Sequence, residues 1–206
     1  MENIRYRTGM ASRKAAARPR LAPGDWVAAA LAAVAEGGLA AVAIEPLAAR
    51  LGATKGSFYW HFANREALLA AALARWEEQT TTEVAARARA AAPDPAGQLR
   101  LLITEVARIA ETDRVGLALL ASAAQPAVAA TLDRVTRRRL AILVTLFGEL
   151  GLPPATARRR ALLAYSAYLG HAQLSHTTPE LLPRGRAARH SYLDDVIATL
   201  TSPPVG

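Results

Sequence analysis

The chain has 206 residues, of which 52% are hydrophobic and 20% charged, so it can bury a sizeable core and is not disordered throughout. It contains no cysteine, which excludes disulfide frameworks, thiol nucleophiles and thiolate metal sites and is consistent with a reducing cytoplasm. The formal net charge is +8. Alanine, leucine and arginine dominate the composition, and all three favour helix.

The positive charge is concentrated at the N-terminal end. Residues 1–20 carry six basic side chains against one acidic, whereas residues 21–66 carry three against four. We expect residues 1–20 to form a basic flexible arm that reaches DNA phosphates or the minor groove, with a solubilising tail as the alternative. The apolar run Ala15–Ala17 is too short for a signal peptide, and translation could start at Met1 or at Met10.

Proline and glycine divide the rest of the chain into about nine helical segments with no alternating strand pattern, which predicts an all-α fold. The predicted helices span about 23–36, 44–51, 55–62, 64–90, 97–111, 114–124, 127–150, 156–177 and 187–201. Two stretches without charged residues, 115–132 and 161–179, reach the length of a membrane span. Both contain polar residues and are better explained as buried helices, so we expect no membrane association.

The block from Ile44 to Arg65 contains a helix-turn-helix pattern. Ala48 offers a small contact on the second helix, and Gly52 permits a sharp turn four residues later. Phe58 falls where the third helix must bury a large side chain, and Phe62 at i+4 extends the same face. The spacing therefore predicts a helix-turn-helix formed by helices 44–51 and 55–62.

The opposite face of the third helix is polar. Thr54, Lys55 and Ser57 lie at its start, the end that enters the major groove in this motif. A lysine can donate to guanine acceptors, and a hydroxyl can bond to bases or phosphates. Tyr59 and His61 suit phosphate contacts. These residues predict a DNA-binding edge, although Tyr59 and the adjacent Trp60 could instead be core aromatics.

The stretch GATKGSFYWHFANREALLAAAL resembles the recognition helix, connector and fourth helix of the TetR family of bacterial transcriptional regulators. The preceding VAAALAAVAEGGLAAVAIEPLAARLG resembles the first two helices of that family, so the motif match covers about Leu21–Leu73. The resemblance implies a nine-helix fold, a cytoplasmic homodimer acting at the nucleoid, a palindromic operator and release by a small ligand. It maps base or phosphate contacts onto Thr54, Lys55, Gly56, Ser57, Tyr59, Trp60 and His61, with Arg65 on the DNA backbone.

Three positions depart from that family's pattern. Ala43 stands where a threonine or serine usually caps the second helix, so about 1 kcal/mol of capping is expected to be missing. Pro46 lies in the first turn, where its missing N–H costs little. Glu45 replaces a basic contact and would repel phosphate, and we expect the basic arm to compensate.

By the same resemblance, residues 156–177 and 187–201 would pair with their mates in a four-helix dimer bundle. Their apolar faces fit this expectation, with an intramolecular core as the alternative. The candidate apolar faces are Leu162, Leu163, Tyr165, Leu169 and Ala172 on the first helix and Leu193, Val196, Ile197 and Leu200 on the second.

The candidate contacts to an unknown small-molecule effector are Trp76, Phe147, Tyr165, Tyr168, Arg114, Gln125 and His171. The arginine triplets at 137–139 and 158–160 are expected to be solvated helix faces.

The sequence thus predicts a basic arm at 1–20, a DNA-binding domain at 21–66 and an effector-binding and dimerisation domain at 67–206. The expected function is a ligand-responsive repressor that binds double-stranded DNA. The alternatives are an activator of the same fold or a helical protein-binding adaptor. With four scattered histidines and no glycine-rich phosphate loop, we expect no enzyme activity, metal or cofactor.

Overall fold

The structure is a computed structural model that describes residues 21–202, and nine α-helices with no strand make up this part of the chain. The helices are α1 (Pro23–Gly37), α2 (Ile44–Arg50), α3 (Lys55–Tyr59), α4 (beginning at Arg65), α5 (Pro95–Ala110), α6 (Arg114–Ala121), α7 (Pro126–Glu149), α8 (Pro154–Thr177) and α9 (Arg186–Thr201). The predicted all-α fold is confirmed. The expected arm, residues 1–20, lies outside the described residues.

Helix α4 is not uniform. It runs as α-helix over Arg65–Glu77, as π-helix over Glu78–Thr82 and again as α-helix over Glu83–Ala91. Its start is fixed as predicted, because the Asn64 side-chain oxygen accepts a hydrogen bond from the Ala67 amide at 2.8 Å. The π-helical segment was not predicted, and it lies at mid-helix in the body.

Two other local expectations are resolved at α2 and α3. Ala43 is the N-cap of α2 and provides no side-chain hydrogen bond, so the missing cap is confirmed. Helix α3 ends at Tyr59 instead of Phe62. Its last turn tightens because the His61 amide donates to the Phe58 carbonyl at 2.9 Å, an i→i+3 bond.

The first hydrophobic cluster is centred on Trp26 and Phe58, which are both fully buried between α1, α3 and α4. Leu119 of α6 and Val128 and Val135 of α7 belong to the same cluster. The core of the N-terminal helices is therefore continuous with side chains from the body.

The second cluster lies between α5, α7, α8 and α9 and includes the fully buried Phe147. Ile197 and Leu200 of α9 are buried in it. Two residues of the α9 face expected in the dimer bundle therefore pack within the chain, so the intramolecular alternative holds for them. The reason is that α9 covers the apolar side of α5, which would otherwise face water.

The two stretches without charged residues that reach the length of a membrane span lie in different helices. Residues 115–132 are divided between α6 and the beginning of α7, and residues 161–179 lie mostly in α8. Within residues 21–202, no helix combines the length and the apolarity that a membrane crossing requires.

Candidate nucleic-acid interface

The turn between α2 and α3 has the geometry that the sequence pattern predicts. Gly52 adopts φ +62°, a left-handed conformation that L side chains rarely adopt. The next amide, of Ala53, donates to the Ala48 carbonyl at 2.8 Å. Ala48 is itself buried, so a larger side chain there would separate the two helices.

Aromatic packing fixes which side of α3 faces the core. The Phe58 ring meets the Trp26 ring edge-on at 5.4 Å and stacks on the Phe62 ring at 5.8 Å. Because Phe58 is fully buried, the opposite side of this short helix must face outward.

The outward side carries the predicted DNA-contacting residues. Trp60 is 88% exposed and Tyr59 is 52% exposed, so neither is a core aromatic, although the Tyr59 ring also rests edge-on against Phe58. The other exposed members of this edge are Thr54, Lys55 and Gly56, while Ser57 and His61 are partly buried. An exposed tryptophan next to a tyrosine would be unfavourable on an isolated monomer and suggests a contact surface.

Thr54 has a structural task in addition to any DNA contact. Its side-chain oxygen accepts a hydrogen bond from the Ser57 amide at 3.1 Å and so caps α3. The hydroxyl proton stays available for donation. A Cβ added to Gly56 would meet only the Thr54 hydroxyl, at 3.7 Å, so the backbone here is open to an approaching partner.

Lys55 is bound to Glu45 of α2. The lysine Nζ lies 2.5 Å from the glutamate Oε1, and both side chains are exposed. The hydrogen bond from Lys55 holds the pKa of Glu45 below its ordinary value, and the same bond raises the pKa of Lys55. Glu45 therefore neutralises Lys55 directly, in addition to its expected repulsion of phosphate.

The other two cations of residues 21–66 are also engaged. Arg50 binds Glu36, with Nη1 to Oε2 at 2.9 Å. Arg65 donates through Nε to the Val42 carbonyl and through Nη2 to the Leu39 carbonyl, both at 2.6 Å. All of these residues are described, so every lysine and arginine of this segment has an intramolecular partner.

The position of Arg65 changes the interpretation of its role. Two sides of its guanidinium hold the loop before α2 in place, and Nη1 lies 3.9 Å from Glu66. The Leu39 carbonyl also accepts from the Val42 amide at 3.3 Å, so Arg65 gives this carbonyl a second donor and ties it to the Val42 carbonyl. The predicted contact of Arg65 with the DNA backbone stays a prediction, and the structure gives the side chain a positioning role in the loop as well.

In the body, the structure brings Tyr165 and Tyr168 together at a cavity of about 60 Å³. Their rings stack at 5.9 Å. The rest of the lining is mainly apolar, with Thr80, Thr81 and Arg139 as further polar members. The apolar lining residues are Val84, Leu102, Ile103, Val106, Ile142, Leu143 and Ala164.

Trp76 lies beyond the tyrosine pair, in a neighbouring small cavity that Arg139 also lines. Its indole nitrogen donates to both carboxylate oxygens of Asp113 at 3.1 Å. Sequence reasoning had named the next residue, Arg114, but that side chain is exposed at the start of α6. Asp113 is the residue that faces inward.

Of the remaining candidate ligand contacts, His171 shares a further small cavity with Tyr168, whereas Phe147 and Gln125 are not brought to the tyrosine pair. Phe147 is fully buried in the second cluster, and Gln125 is exposed at the start of α7. His171 stacks on Tyr192 at 5.9 Å, and both of its ring nitrogens are buried without a hydrogen-bond partner. Burial lowers the pKa of His171.

Arg139 was missed because it stands in a triplet taken for a solvated face. Arg137 and Arg138 are exposed, but Arg139 is partly buried. It follows the buried Val135 by four residues and precedes the buried Leu143 by four, which puts it on the inner face of α7. The helical period of the flanking apolar residues was the signal that could have identified it.

On α8, the expected interface residues Leu162 and Leu163 are exposed. Leu174, three turns further along, is also exposed, whereas Ala172 is buried within the chain. The exposed leucines form an apolar strip on a helix that is otherwise packed against α7. Among the residues described, no group of three or more histidine, aspartate or glutamate side chains is placed to hold a metal ion.

Comparison with known proteins agrees with this geometry. Residues 27–72 match the family model described as bacterial regulatory proteins, tetR family. A transcriptional regulator from Rhodococcus sp. Rha1 is similar in structure, with a TM-score of 0.71 and 22% identity over 89% of this chain and 100% of the other. SCO4454, a TetR-family transcriptional regulator from Streptomyces coelicolor, is also similar in structure. The TM-score is 0.66 and the sequence identity 19%, over 87% of this chain and 95% of the other. No curated protein matches in sequence.

A further similar structure is that of AibR in complex with isovaleryl coenzyme A and operator DNA, at a TM-score of 0.60 and 18% identity over 88% of this chain and 98% of that one. At these identities the structural matches show the fold, while the family model covers the helix-turn-helix itself. Residues 27–72 therefore match the DNA-binding region of the TetR family of bacterial regulatory proteins, and the described part of the chain shares the fold of solved regulators of that family.

Proposed function

We propose that this DNA-binding regulator is a ligand-responsive repressor that binds a palindromic operator as a homodimer through α2 and α3. The observation that carries the proposal is the division of α3 into two sides. Phe58 is fully buried, while Tyr59 and Trp60 on the other side are exposed. A repressor of this kind acts on chromosomal DNA in the cytoplasm.

The pairing of every cation in residues 21–66 shapes how the interface would bind DNA. Phosphate has to displace Glu45 from Lys55, or the attraction has to come from elsewhere. Residues 1–20 carry six basic side chains against one acidic, which is enough for several phosphate contacts. We therefore assign most of the salt-dependent, sequence-independent affinity to this arm and the sequence preference to α3.

The exposed strip on α8 supports a homodimer. Leu162 is 58% exposed and Leu163 is 48% exposed, and a second copy of the same surface would cover both. Two recognition helices related by twofold symmetry could then read half-sites about 34–36 Å apart, which is one turn of B-DNA. A single α3 would read too few base pairs to define an operator.

Ligand control is proposed to act through α4 and the shared core. The cavity lined by Tyr165 and Tyr168 abuts the π-helical segment of α4, and α4 leads directly back to α3. A ligand that binds better to a conformation with differently spaced recognition helices would reduce operator affinity. That AibR was solved with both an acyl-coenzyme A and operator DNA supports a fold that accommodates two such partners.

Selection of bound duplexes from a random pool tests the proposal. We expect enrichment of one palindromic sequence by the full-length protein, and we expect Lys55→Ala to weaken that sequence more than an unrelated duplex. A lysine that contacts base edges contributes about 1–3 kcal/mol of discrimination. Equal losses on both duplexes would assign Lys55 to phosphate.

The outcome also separates the alternatives. A pool with no enriched sequence contradicts operator binding and leaves a protein-binding adaptor. An effector that strengthens binding to the palindrome, instead of releasing it, identifies an activator. Release by the effector is the result that a repressor predicts.

A further inference from the structure

The π-helical segment Glu78–Thr82 of α4 is held from outside the helix. Arg139 of α7 donates through Nε to the Thr81 hydroxyl and through Nη2 to the Thr80 hydroxyl, both at 2.9 Å. Nη2 also lies 3.4 Å from the Thr80 carbonyl. Since π-helical turns are rare and cluster at functional sites, the residue that secures this one is of interest.

The same guanidinium is enclosed by aromatic rings. Its carbon lies 5.5 Å from the centre of the Trp76 ring and 5.4 Å from that of Tyr168, and Nη1 is 3.4 Å from the Tyr168 hydroxyl. Burial raises the pKa of Tyr168 even beside this cation, which means that the phenol stays neutral and supplies no negative charge.

Among the described residues, Arg139 forms no ion pair at the cavity, because the carboxylate of Asp113, which lines the adjoining cavity with it, accepts from the Trp76 indole instead. Within residues 21–202 its polar partners are hydroxyl groups and one carbonyl, and no ion pair joins it to a carboxylate, although Arg134 and Arg137 on the same helix are each paired. A partly buried guanidinium without an anion is unfavourable, and its planar fork suits a carboxylate.

The rest of the cavity is apolar. Leu102, Ile103 and Val106 of α5 face Ile142 and Leu143 of α7 across it. One cation at the edge of an aliphatic cavity matches a molecule with one negative head and a short hydrocarbon body.

We propose that the effector is a small aliphatic monocarboxylate whose carboxylate binds Arg139 and whose chain lies between α5 and α7. The proposal deepens the ligand-responsive function given above and rests on it. By accepting from Nε and Nη2, the carboxylate replaces Thr80 and Thr81 as partners of Arg139. The π-helical segment then loses its external support, and α4 changes its path toward the DNA-binding helices.

Size limits the ligand. The cavity volume of about 60 Å³ is less than half of the roughly 150 Å³ that holds a benzene ring in an apolar interior. A chain of about three to six carbon atoms therefore fits after modest widening, and longer chains require the helices to separate.

The test uses the full-length protein and the sodium salts of straight-chain monocarboxylic acids from propanoate to decanoate, with the primary amide of each acid as its neutral match. Affinity is measured by calorimetry, and thermal midpoints are measured in parallel. We expect carboxylates of three to six carbons to bind at least about tenfold more tightly than their amides, because a charge-assisted hydrogen bond is lost in the amide. Equal binding of acid and amide, or no binding in the series, overturns the proposal.

Variants locate the binding group. Arg139→Gln should lose about ten- to a hundredfold in carboxylate affinity, and Arg139→Lys should retain part of it. The matched control is Arg138→Gln, an exposed arginine on the same helix turn, which should bind as the wild type does. If Arg139→Gln fails to fold, the comparison of acid with amide on the wild type still decides the question.

A second readout tests the coupling. Hydrogen–deuterium exchange of the amides of residues 76–84 should increase at least about threefold on addition of the best-binding carboxylate, since the π-helical segment is then less supported. Unchanged exchange in a protein that binds the acid would overturn the coupling.

These results are independent of operator binding. If the protein selects a palindrome but binds no carboxylate, the proposed function stands and the proposed effector is wrong. If the protein binds carboxylates through Arg139 but selects no duplex, the proposed repressor function is wrong and the proposed carboxylate site stands.

Discussion

Lys55 at the start of the recognition helix donates to Glu45 of the preceding helix across 2.5 Å. The pair links the two helices of the helix-turn-helix at the edge that is proposed to meet DNA. Because both side chains are exposed, the pair contributes little to stability. Its main effect is to neutralise the lysine, so that in the proposed complex a phosphate or a base would have to replace the carboxylate.

Removal of the negative charge at position 45 should strengthen DNA binding. We expect Glu45→Gln to bind all duplexes more tightly and to steepen the dependence of log K on log salt, because a carboxylate that repels phosphate is removed from the interface. Fluorescence anisotropy at several salt concentrations measures both quantities.

The matched control for this substitution is Asp133→Asn, which removes a carboxylate from an exposed pair with Arg137 in the body. It should leave affinity and slope unchanged. Weaker binding by Glu45→Gln would mean that Glu45 itself contacts the DNA, for example by accepting from a cytosine amino group.

Arg65 should matter more for stability than for DNA contact. Replacement by methionine removes the two charge-assisted hydrogen bonds to the carbonyls of Val42 and Leu39, and we expect a loss of about 2–3 kcal/mol in the free energy of unfolding. Urea denaturation followed by circular dichroism measures it. Arg50→Met, which removes only an exposed pair with Glu36, should cost at most about 1 kcal/mol. If the Arg65 variant is as stable as the wild type, the positioning role is wrong and the predicted contact with the DNA backbone remains.

The apolar strip on α8 predicts a dimer that one charge can disrupt. In light scattering at micromolar concentration, the wild type should have twice the 21.8 kDa mass of the chain. Leu163→Glu should reduce the mass to that of a monomer, because a carboxylate would be buried without a partner in the interface. Leu101→Glu, at an exposed leucine of α5, should remain dimeric. A wild-type monomer, or a dimer that survives the α8 substitution, excludes this surface.

His171 predicts a pH dependence of stability. Burial lowers its pKa, while Glu111 and Arg189 act on it in opposite directions. The folded protein therefore keeps the imidazole neutral, whereas the unfolded chain takes up a proton below about pH 6.5. The contribution of this group to stability is complete above pH 6.5 and is lost as the pH falls toward the folded-state pKa.

The substitution His171→Phe tests this. Because both ring nitrogens lack partners, phenylalanine should raise the thermal midpoint at pH 5.5 and flatten its change between pH 7.5 and 5.5. His190→Gln, at an exposed position on α9, should retain the wild-type slope. A steeper slope in the phenylalanine variant would contradict the account.

The sequence was most informative where structure depends on neighbours along the chain. Ala48, Gly52 and Phe58 defined the turn between α2 and α3 because a small contact, a left-handed φ and a buried ring have fixed offsets. The Asn64 cap and the missing cap at Ala43 were predictable for the same reason. Helix ends differed by a few residues, most clearly at α3.

Long-range contacts could not be predicted in this way. The positioning role of Arg65 could not be predicted because its bonds to Leu39 and Val42 join positions more than twenty residues apart. The inward position of Arg139 could not be predicted from its threonine partners, because they lie on another helix. The packing of Ile197 inside the second cluster depends on α5, and nothing in the sequence of α9 distinguishes that surface from a dimer interface.

The most direct test of the account is methylation interference on the selected palindrome. Dimethyl sulfate modifies guanine N7 in the major groove and adenine N3 in the minor groove. If the polar edge of α3 enters the major groove, N7 methylation within each half-site should abolish binding, and the interfering positions of the two half-sites should lie about one helical turn apart. Binding that tolerates every N7 methyl group, or that is blocked only by adenine N3 methylation, would contradict the central claim.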